Sequence, residues 1–425
     1  MKKQLLMLCL ALAFAYAQGA VDYNGNPLAR NGSITITPQT SSATIASYTK
    51  AVNLDGLVDK TFGINGKAAI NHIEVNDGAY ACMLQPDGKI ITAGYSDSDF
   101  AVVRYNTNGS VDSSFGPDRN GIVTTNLGGT DIARACVLQP DGKIIAAGYT
   151  ITNDFYDNDF YDFALVRYNT DGSLDSSFGV NGNGIIITDL GGNEDGAYAC
   201  VLQPDGKIIA AGYTSIDVLG SVYNFALVRY NSDRTLDATF GTDGNGIVKT
   251  DIEGDDRAQA CVLQPDGKII AAGYTGLNKE GVFYNIALIR YNTNGSIDTT
   301  FGTNGIVTTD LGRIDGVQAC MLQLDGKIVV AGYTNKNNDD TYDWALVRYN
   351  TDGTLDTSFG INGMVITDVK AKYDFAQACV LQLDGKIVIA GYCDDGISTD
   401  SALVRYINPF TLETFTASYG NVGLL

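Results

Sequence analysis

One short motif recurs six times along this chain at nearly constant spacing. The segment Leu-Gln-(Pro/Leu)-Asp-Gly-Lys places its glycine at positions 88, 142, 206, 267, 326 and 385, so successive copies lie 54, 64, 61, 59 and 59 residues apart. A period near sixty residues indicates a repeat architecture in which each copy is one structural unit. Any fold for this chain must therefore be assembled from six similar units.

Each unit contains four short runs of β-branched and aromatic residues. The runs are Ala-Cys-(Val/Met)-Leu-Gln, Lys-Ile-Ile-Ala-Ala-Gly-Tyr, Phe-Ala-Leu-Val-Arg-Tyr-Asn and Gly-Ile-Val-Thr-Thr-Asp-Leu, and Gly, Asp and Asn turns separate them. The chain contains 49 glycines, which fits many tight turns. Four antiparallel strands in about sixty residues are typical of a propeller blade, because the coils of a β-solenoid are much shorter. The sequence predicts an all-β propeller of four-stranded antiparallel blades.

The positions of the fourth strands decide the predicted number of blades. One such run, Lys67 to Glu74, precedes the first complete set of three strands, and the others follow Gly121, Gly184, Gly246, Gly305 and Gly363. Six blades follow if the N-terminal strand completes the last blade, and such closure removes open sheet edges. A seventh blade built from residues 33–38, 44–49 and 414–420 is the alternative.

The first seventeen residues have the pattern of a signal peptide. Lys2 and Lys3 precede an apolar run, and Ala15-Tyr16-Ala17 matches a signal-peptidase site before Gln18. We expect residues 18–43 to be an N-terminal extension that contributes at most one strand, and residues 44–425 to form the propeller. The mature chain contains no long apolar run, so we expect it to be exported without a transmembrane segment, to the periplasm, the cell surface or the medium.

The repeat also resembles a known family. Residues 163–179 read Phe-Ala-Leu-Val-Arg-Tyr-Asn-Thr-Asp-Gly-Ser-Leu-Asp-Ser-Ser-Phe-Gly, and residues 202–207 read Leu-Gln-Pro-Asp-Gly-Lys. This string is similar to the bacterial delta-60 tandem repeat, and the resemblance extends over roughly residues 48–415. It implies a bacterial, exported, propeller-like protein with no established activity, and it supplies no catalytic residue.

Charge and composition exclude several function classes. The chain has 28 Lys and Arg against 48 Asp and Glu, a net charge of -20, which opposes binding to nucleic acid or to an anionic membrane. His72 is the only histidine, so the sequence offers neither a histidine-based triad nor a multi-histidine metal site. We predict no catalytic residue from the sequence.

Several recurring residues are expected to be structural. An arginine in each third strand is followed, in five of the units, by an aspartate eight residues later, which predicts a repeated ion pair. The Asn-Thr-Asp-Gly segments lack the further ligands of a calcium loop and are predicted to be hairpin turns. Trp344 replaces a recurring phenylalanine and is predicted to lie in the core. Six of the seven mature cysteines occupy one equivalent position, so we predict free thiols at Cys82, Cys136, Cys200, Cys261, Cys320, Cys379 and Cys393.

One face of the propeller is predicted to carry the functional differences between blades. In an up-and-down blade the loops between the second and third strands lie on the same face as the segments that lead into the next blade. These loops hold 4, 13, 11, 11, 10 and 8 residues, whereas the flanking strands barely change. Variable loops on one face of a repeat protein are the usual place for binding. We call this surface the variable face.

Acidic and aromatic residues on the variable face are the candidate site. An aspartate precedes every first strand and either caps the strand or, with its neighbours, holds a cation such as Ca²⁺. These aspartates are Asp77, Asp131, Asp195, Asp256, Asp315 and Asp374. The loop aromatics either form an exposed patch for a ligand or fold down onto the blades. They are Phe155, Tyr156, Phe160, Tyr161, Tyr223, Phe283 and Tyr284.

Two function classes follow from these features. The first is an exported, non-enzymatic propeller that binds a protein or a glycan through the variable face. The alternative is an exported hydrolase or lyase that uses aspartates at the central opening, with or without Ca²⁺; we predict no other cofactor. The polar residues at equivalent positions recur in nearly every copy, whereas an active site should contain unlike, unrepeated polar residues. This repetition favours a binding scaffold over a catalyst.

Overall fold

The computed structural model describes most of the repeat region as strands joined by tight turns. The described residues run from 77 to 407, apart from 154–158, 180–181, 217–221, 234, 253, 278–282, 336–340, 370–371, 383–384 and 395–398. Every regular element among them is a β-strand. No helix in this part of the chain has the length and hydrophobicity needed to cross a membrane.

The strands repeat in groups of four. The first strands of the groups are β1 Asp77–Leu84, β5 Thr130–Leu138, β9 Asp195–Leu202, β13 Asp255–Leu263, β17 Asp315–Leu322 and β21 Tyr373–Leu381. The second strands are β2 Ile90–Ser96, β6 Ile144–Asn153, β10 Ile208–Ser215, β14 Ile269–Leu277, β18 Ile328–Thr334 and β22 Ile387–Asp394. The third strands are β3 Asp99–Tyr105, β7 Asp159–Tyr168, β11 Tyr223–Tyr230, β15 Phe283–Tyr291, β19 Asp343–Tyr349 and β23 Thr399–Tyr406. The fourth strands are β4 Ile122–Thr125, β8 Ile185–Thr188, β12 Ile247–Thr250, β16 Ile306–Thr309 and β20 Met364–Thr367.

Six antiparallel sheets form the six blades of a β-propeller. In each sheet the strands are neighbours in chain order, and the sixth sheet holds β21, β22 and β23 within the described residues. The first strands of successive blades contact one another, which places them around the centre of the ring. The predicted six-bladed, all-β propeller is confirmed. The predicted closing strand at 67–74, the segments 1–17 and 18–43, and the pieces assigned to a seventh blade lie outside the described residues.

The hydrophobic core lies between successive blades. Phe163 and Leu165 of β7, for example, pack against Ala197 and Ile208 of the next blade. Every residue of β10 and β11 is buried, because both faces of these strands contact neighbouring blades. This explains why the middle strands read as continuous apolar runs. Trp344 belongs to such a layer and is buried, as predicted.

A tyrosine–threonine hydrogen bond joins each blade from the second to the sixth to the blade before it. The tyrosine that ends a third strand lies 2.8 Å from the threonine that ends the fourth strand of the preceding blade. The pairs are Tyr168 with Thr125, Tyr230 with Thr188, Tyr291 with Thr250, Tyr349 with Thr309, and Tyr406 with Thr367. Each bond satisfies two hydroxyls that burial would otherwise leave without water, and contributes about 1 kcal/mol.

The recurring arginines form the predicted ion pairs on the face opposite the variable loops. Arg167 Nε lies 2.7 Å from Asp175 Oδ2, and Lys143 of the Asp-Gly-Lys turn lies 2.8 Å from the same oxygen. The Arg167 guanidinium also stacks over Phe178, with its carbon 4.5 Å from the ring centroid. Equivalent clusters occur at Asp112, Asp237, Asp298 and Asp356. Each of these five clusters joins the Asp-Gly-Lys turn to the second turn of its own blade.

The Asn-Thr-Asp-Gly segments are closed hairpin turns. Asp171 Oδ1 accepts hydrogen bonds from the Ser173 backbone N–H at 2.9 Å and from its hydroxyl at 2.7 Å. Gly172 has a φ of 87°, a left-handed conformation that glycine adopts without steric cost. The aspartate oxygen is therefore used within its own turn, as the hairpin prediction requires.

The seven cysteines of the described residues are free thiols, as predicted. Burial raises the pKa of Cys136, Cys261 and Cys379 to about 12, and in Cys136 the neighbouring Cys82 adds to the effect. Thiols with such pKa values are inert at neutral pH, because the thiolate is the reactive form. They fill the inner strands as small apolar side chains.

Candidate functional site

Backbone hydrogen bonds join the variable loops to the segments that lead into the next blade. The Asp131 N–H donates to Ser98 O at 2.6 Å, and the Tyr161 N–H donates to Asn193 O at 2.9 Å. The Asp374 N–H donates to Tyr342 O at 2.8 Å in the same manner. The two kinds of loop therefore lie on one face, as predicted for the variable face.

The aspartates that precede the first strands hold these lead-in segments in place. Asp131 Oδ2 accepts a hydrogen bond from Leu127 N at 2.5 Å, and Asp315 Oδ2 accepts one from Leu311 N at 2.6 Å. Asp131, Asp195, Asp256, Asp315 and Asp374 all have an exposed fraction of 0%. Asp77, at the edge of the described region, is exposed.

Two of these aspartates also belong to clusters of three carboxyl groups. One cluster holds Asp162, Asp189 and Asp195, and in each cluster one oxygen per residue lies within 4.8 Å of the others. Burial, followed by the charges of Asp189 and Asp195, raises the pKa of Asp162 to about 6. The second cluster is Asp343, Asp368 and Asp374. Three carboxylate oxygens are a partial ligand set for a hard cation, since Ca²⁺ takes six to eight oxygens.

The sequence analysis does not single out Asp189 and Asp368, which belong to these carboxyl clusters. Asp189 and Asp368 directly follow the Thr that ends a fourth strand, and the recurring Thr-Asp-Leu segment is the signal that marks them. In the first, third and fourth blades an asparagine replaces one member, at Asn126, Asn224 or Asn285. The three-carboxyl arrangement is thus confined, among the described residues, to the variable-face ends of two blades.

The loop aromatics occupy different environments. Phe155 and Tyr156 lie outside the described residues, and Phe160 is half-buried. Phe283 is 51% exposed, and the Arg313 guanidinium lies 5.7 Å from its ring. Tyr161, Tyr223 and Tyr284 instead lie against tyrosines of the second strands, namely Tyr149, Tyr213 and Tyr274.

Hydrogen bonds fix two of these tyrosines at the rim. The Tyr223 hydroxyl donates to Glu194 Oε2 at 2.6 Å, and Tyr223 is 5% exposed. The Tyr284 hydroxyl donates to Asp255 Oδ2 at 3.1 Å. The rings therefore pack over the ends of the blades and extend an aromatic layer toward the centre.

A β-bulge in every first strand releases one residue from the ladder. The register with the second strand skips a residue between Ala79 and Ala81 in β1, and at the same place in every other blade. A bulge re-aims the extra side chain and is frequent beside functional sites. We call the released residues the bulge residues: Tyr80, Arg134, Tyr198, Gln259, Gln318 and Gln377.

The bulge residues join the second-strand tyrosines in a continuous aromatic and cationic layer. The Arg134 guanidinium carbon lies 3.9 Å from the Tyr80 ring centroid and 5.0 Å from that of Tyr198. The Tyr198 and Tyr213 centroids are 5.4 Å apart. Arg257 continues the layer at 4.8 Å from Tyr213 and 3.7 Å from Tyr223. We call this layer the channel-mouth belt: Tyr80, Arg134, Tyr149, Tyr198, Tyr213, Tyr223 and Arg257.

A cleft of about 320 Å³ opens beside the belt between the first two blades. Its lining residues are Tyr80, Tyr95, Asp97, Ser98, Thr130 and Ile132. Asp97 and Ser98 form the two-residue turn between β2 and β3, with φ values of 46° and 73°. This is the shortest of the six variable loops, and Tyr80 beside it is 49% exposed. The volume falls in the range of small-molecule sites.

The six sheets and their repeated turns define the class of this protein, a β-propeller built from tandem repeats. The family described as "Domain of unknown function (DUF5122) beta-propeller" matches residues 85–115, 139–178, 203–240, 264–301, 323–359 and 382–406. One match falls in each blade and runs from the Asp-Gly-Lys turn to the second turn or, in the last blade, to the end of the third strand. The chain is thus a member of a β-propeller repeat family.

Solved structures with a similar fold have very different activities. A glucose dehydrogenase is 9% identical, with 77% of this chain and 96% of that chain covered and a TM-score of 0.44. An ulvan lyase of polysaccharide lyase family PL25 is 10% identical, with 75% and 81% covered and a TM-score of 0.38. Sqt1 of Chaetomium thermophilum, bound to the N-terminus of ribosomal protein L10, is 14% identical, with 71% and 65% covered and a TM-score of 0.37. No curated protein matches the sequence significantly. Likenesses this low carry no argument about activity.

Proposed function

We propose that this protein is an exported, non-enzymatic β-propeller that binds a protein or a glycan through its variable face. The observation that supports the proposal is the channel-mouth belt, where side chains from four successive blades meet. The blades are otherwise nearly identical in their polar residues, so a belt made of unlike residues is the place where binding selectivity can reside.

Of the two partner classes, the belt favours a glycan. Tyrosine offers a flat apolar ring for the C–H face of a sugar and a hydroxyl that hydrogen-bonds to sugar oxygens. Tyr80 is open to solvent beside a cleft, whereas the other rings are held by their neighbours. Such pre-organised rings lose little conformational entropy when a ligand binds.

Binding to immobilised glycans and pull-down from the native envelope test the proposal. The protein should begin at Gln18, and it is compared with a variant that carries Tyr80→Gln and Tyr198→Gln, since glutamine is the natural bulge residue of three other blades. We expect the double variant to fold normally and to lose at least tenfold in affinity. The control is Asp205→Asn in an exposed turn of the opposite face, which should bind normally. Equal affinity for all three proteins would refute a site at the belt.

Export is the second element of the proposal, and it is supported by the signal-peptide pattern of residues 1–17. Residues 1–17 should be absent from protein recovered outside the cytoplasm. N-terminal sequencing of that fraction should therefore begin at Gln18. A mature protein that retains Met1 would contradict export by this route.

One observation favours the enzymatic alternative. The pKa of Asp162, raised to about 6, is in the range of a general acid or base at neutral pH, and its carboxyl lies beside two others. A propeller hydrolase or lyase would then use Asp162 on a bound polysaccharide. Polysaccharide cleavage by the native protein that Asp162→Asn abolishes, without loss of binding, would establish this candidate over the binding scaffold.

A further inference from the structure

Arg134 differs from the other described arginines of the propeller core in its partners. The third-strand arginines such as Arg167 pair with an aspartate, and Arg257 of the belt lies 3.0 Å from Asp255. Arg134 has no carboxylate partner among the described residues, and its Nε is buried without a hydrogen-bond acceptor. Within the described part of the chain, only the Tyr149 hydroxyl, 3.0 Å from Nη2, accepts a hydrogen bond from one of its five N–H donors.

The surroundings of Arg134 hold the guanidinium in one place. Its carbon lies 3.9 Å from the centroid of Tyr80 and 5.0 Å from that of Tyr198, and the Tyr149 ring is 5.6 Å away. Three aromatic rings from three blades thus enclose one positive charge that no described carboxylate pairs with. A planar guanidinium fixed by stacking is well suited to bidentate recognition of a carboxylate.

We propose that the channel-mouth belt binds an acidic polysaccharide, with the carboxylate of a uronic acid residue on Arg134 and the sugar ring against Tyr80 or Tyr198. The inference rests on the proposed glycan-binding function and names its ligand class. The open cleft beside Tyr80 gives the chain of the polysaccharide a path to the belt.

The net charge of the protein limits the charge density of the polysaccharide that it can bind. A charge of -20 repels dense polyanions over long range, but salt screens this repulsion beyond roughly 8–10 Å. The contact with Arg134 is short and lies among aromatic rings, where screening is weaker. A polysaccharide with one carboxylate per sugar therefore fits better than a heavily sulfated one.

An acidic peptide is the less favourable ligand. Peptides often bind by adding a strand to an exposed sheet edge. The bulge at Arg134 interrupts the regular ladder of β5 at this position, because the register shifts between Ala133 and Ala135. A sugar ring does not bind by pairing with a sheet edge, so the bulge does not interfere with its binding.

Titration calorimetry with a short oligogalacturonate and its methyl ester tests the inference. We expect the native protein to prefer the free acid at least tenfold, and Arg134→Gln, which copies the residue of three other blades, to remove this preference. Arg134→Lys should retain part of it, and Asp205→Asn, in an exposed turn of the opposite face, should retain it fully. Melting temperatures verify that each variant is folded.

The outcomes separate this inference from the broader function. Equal affinity of the native protein for acid and ester overturns the carboxylate site and leaves glycan binding intact. Retention of the acid preference in folded Arg134→Gln overturns the role of Arg134. Absence of binding to any glycan, with capture of an aspartate-rich peptide that depends on Arg134, overturns both the inference and the glycan proposal.

Discussion

At the residue scale, one position per blade carries much of the chemical variety of the ring. The flanking Ala and Cys residues of the first strands repeat, whereas the bulge position changes from Tyr or Arg in three blades to Gln in three others. A residue outside the ladder is free of the packing constraint that keeps its neighbours small. The bulge position is thus able to vary without loss of the fold, and it varies where three blades meet.

Asp162 gives the sharpest residue-scale prediction. Its pKa of about 6 in the folded protein exceeds the ordinary value of 3.8, so its negative charge opposes folding at pH 7. This cost falls as the pH falls through 6, because the folded state takes up the proton first. Asp162→Asn should therefore raise the melting temperature at pH 7 by roughly 1–3 °C, and the gain should shrink toward pH 4.

A matched variant separates this effect from a general change of charge. Asp99→Asn alters the equivalent position of the first blade, where Asn126 Nδ2 donates to Asp99 Oδ1 at 2.8 Å. Asn126 replaces one of the two neighbouring carboxylates at this position, so Asp99 is not in a three-carboxyl cluster. Removal of its charge should therefore not increase stability. Equal gains in both variants would contradict the carboxyl-cluster explanation for Asp162.

Calcium should have little effect on the stability of the protein. Each carboxyl cluster supplies three close oxygens, fewer than Ca²⁺ usually takes, and the other oxygens of Asp195 and Asp374 accept backbone hydrogen bonds. We expect millimolar Ca²⁺ to raise the melting temperature by less than about 1 °C. A rise of several degrees, reversed by a chelator and lost in Asp189→Asn with Asp368→Asn, would show a cation site and support the enzymatic alternative.

At the element scale, the two turns at the end of each blade depend on one carboxylate. Burial opposes ionisation of Asp237, but hydrogen bonds from Lys207 and Thr239 and the charge of Arg229 keep its pKa well below the ordinary value. Asp237→Asn would leave Arg229 buried without its counter-charge. Breaking such a buried pair costs about 3–5 kcal/mol.

Chemical denaturation at two pH values measures this contribution. A carboxylate whose pKa is lowered in the folded state stabilises it above pH 4, and the stabilisation is lost as the pH falls below that value. Asp237→Asn should be much less stable than the native protein at pH 7, and the difference should diminish toward pH 2. The control Asp205→Asn, in an exposed turn, should change stability by less than about 0.5 kcal/mol. A small effect of Asp237→Asn at pH 7 would contradict the role of the cluster.

The sequence predicts the elements better than it predicts the site, for a physical reason. Strands, turns and the Arg167 to Asp175 ion pair recur because each blade needs them, so comparison of the copies reveals them. Arg134 and Asp189 act through contacts between different blades, and no spacing within one copy shows which residues those contacts join. Comparison of the copies shows that the bulge position varies. Only the strand pairing in the structure shows that the residue at this position is not part of the hydrogen-bonded ladder.

At the scale of the whole molecule, the thiols report on the packing of the ring. Six cysteines lie on the innermost strands and the seventh, Cys393, on β22, and none forms a disulfide. Thiol counting on denatured, unreduced protein that begins at Gln18 should find seven. Burial raises the pKa of five of these thiols and so limits their oxidation, because the thiolate is the reactive form; they are Cys136, Cys200, Cys261, Cys320 and Cys379. A count of five or fewer would mean that neighbouring blades approach closely enough to be cross-linked.

Closure of the ring is the second whole-molecule property that can be tested. Within the described residues, β23 has no fourth strand beside it, and Leu403 on this strand is 73% exposed. We predict that residues 67–74 supply that strand, which would pair the open edge of the sixth sheet. A chain that begins at residue 79 lacks the segment and should aggregate, or melt well below the chain that begins at Gln18, because an unpaired edge with exposed apolar side chains invites association.

The position of the truncation distinguishes closure from a general effect of shortening. A chain that begins at residue 44 retains 67–74 and should match the mature protein in melting temperature and in size-exclusion profile. A chain that begins at 79 should fail in both measurements, and a peptide of residues 60–78 added during refolding should restore part of its stability by mass action. If the chain from 79 instead remains monomeric and equally stable, the N-terminal strand does not close the ring.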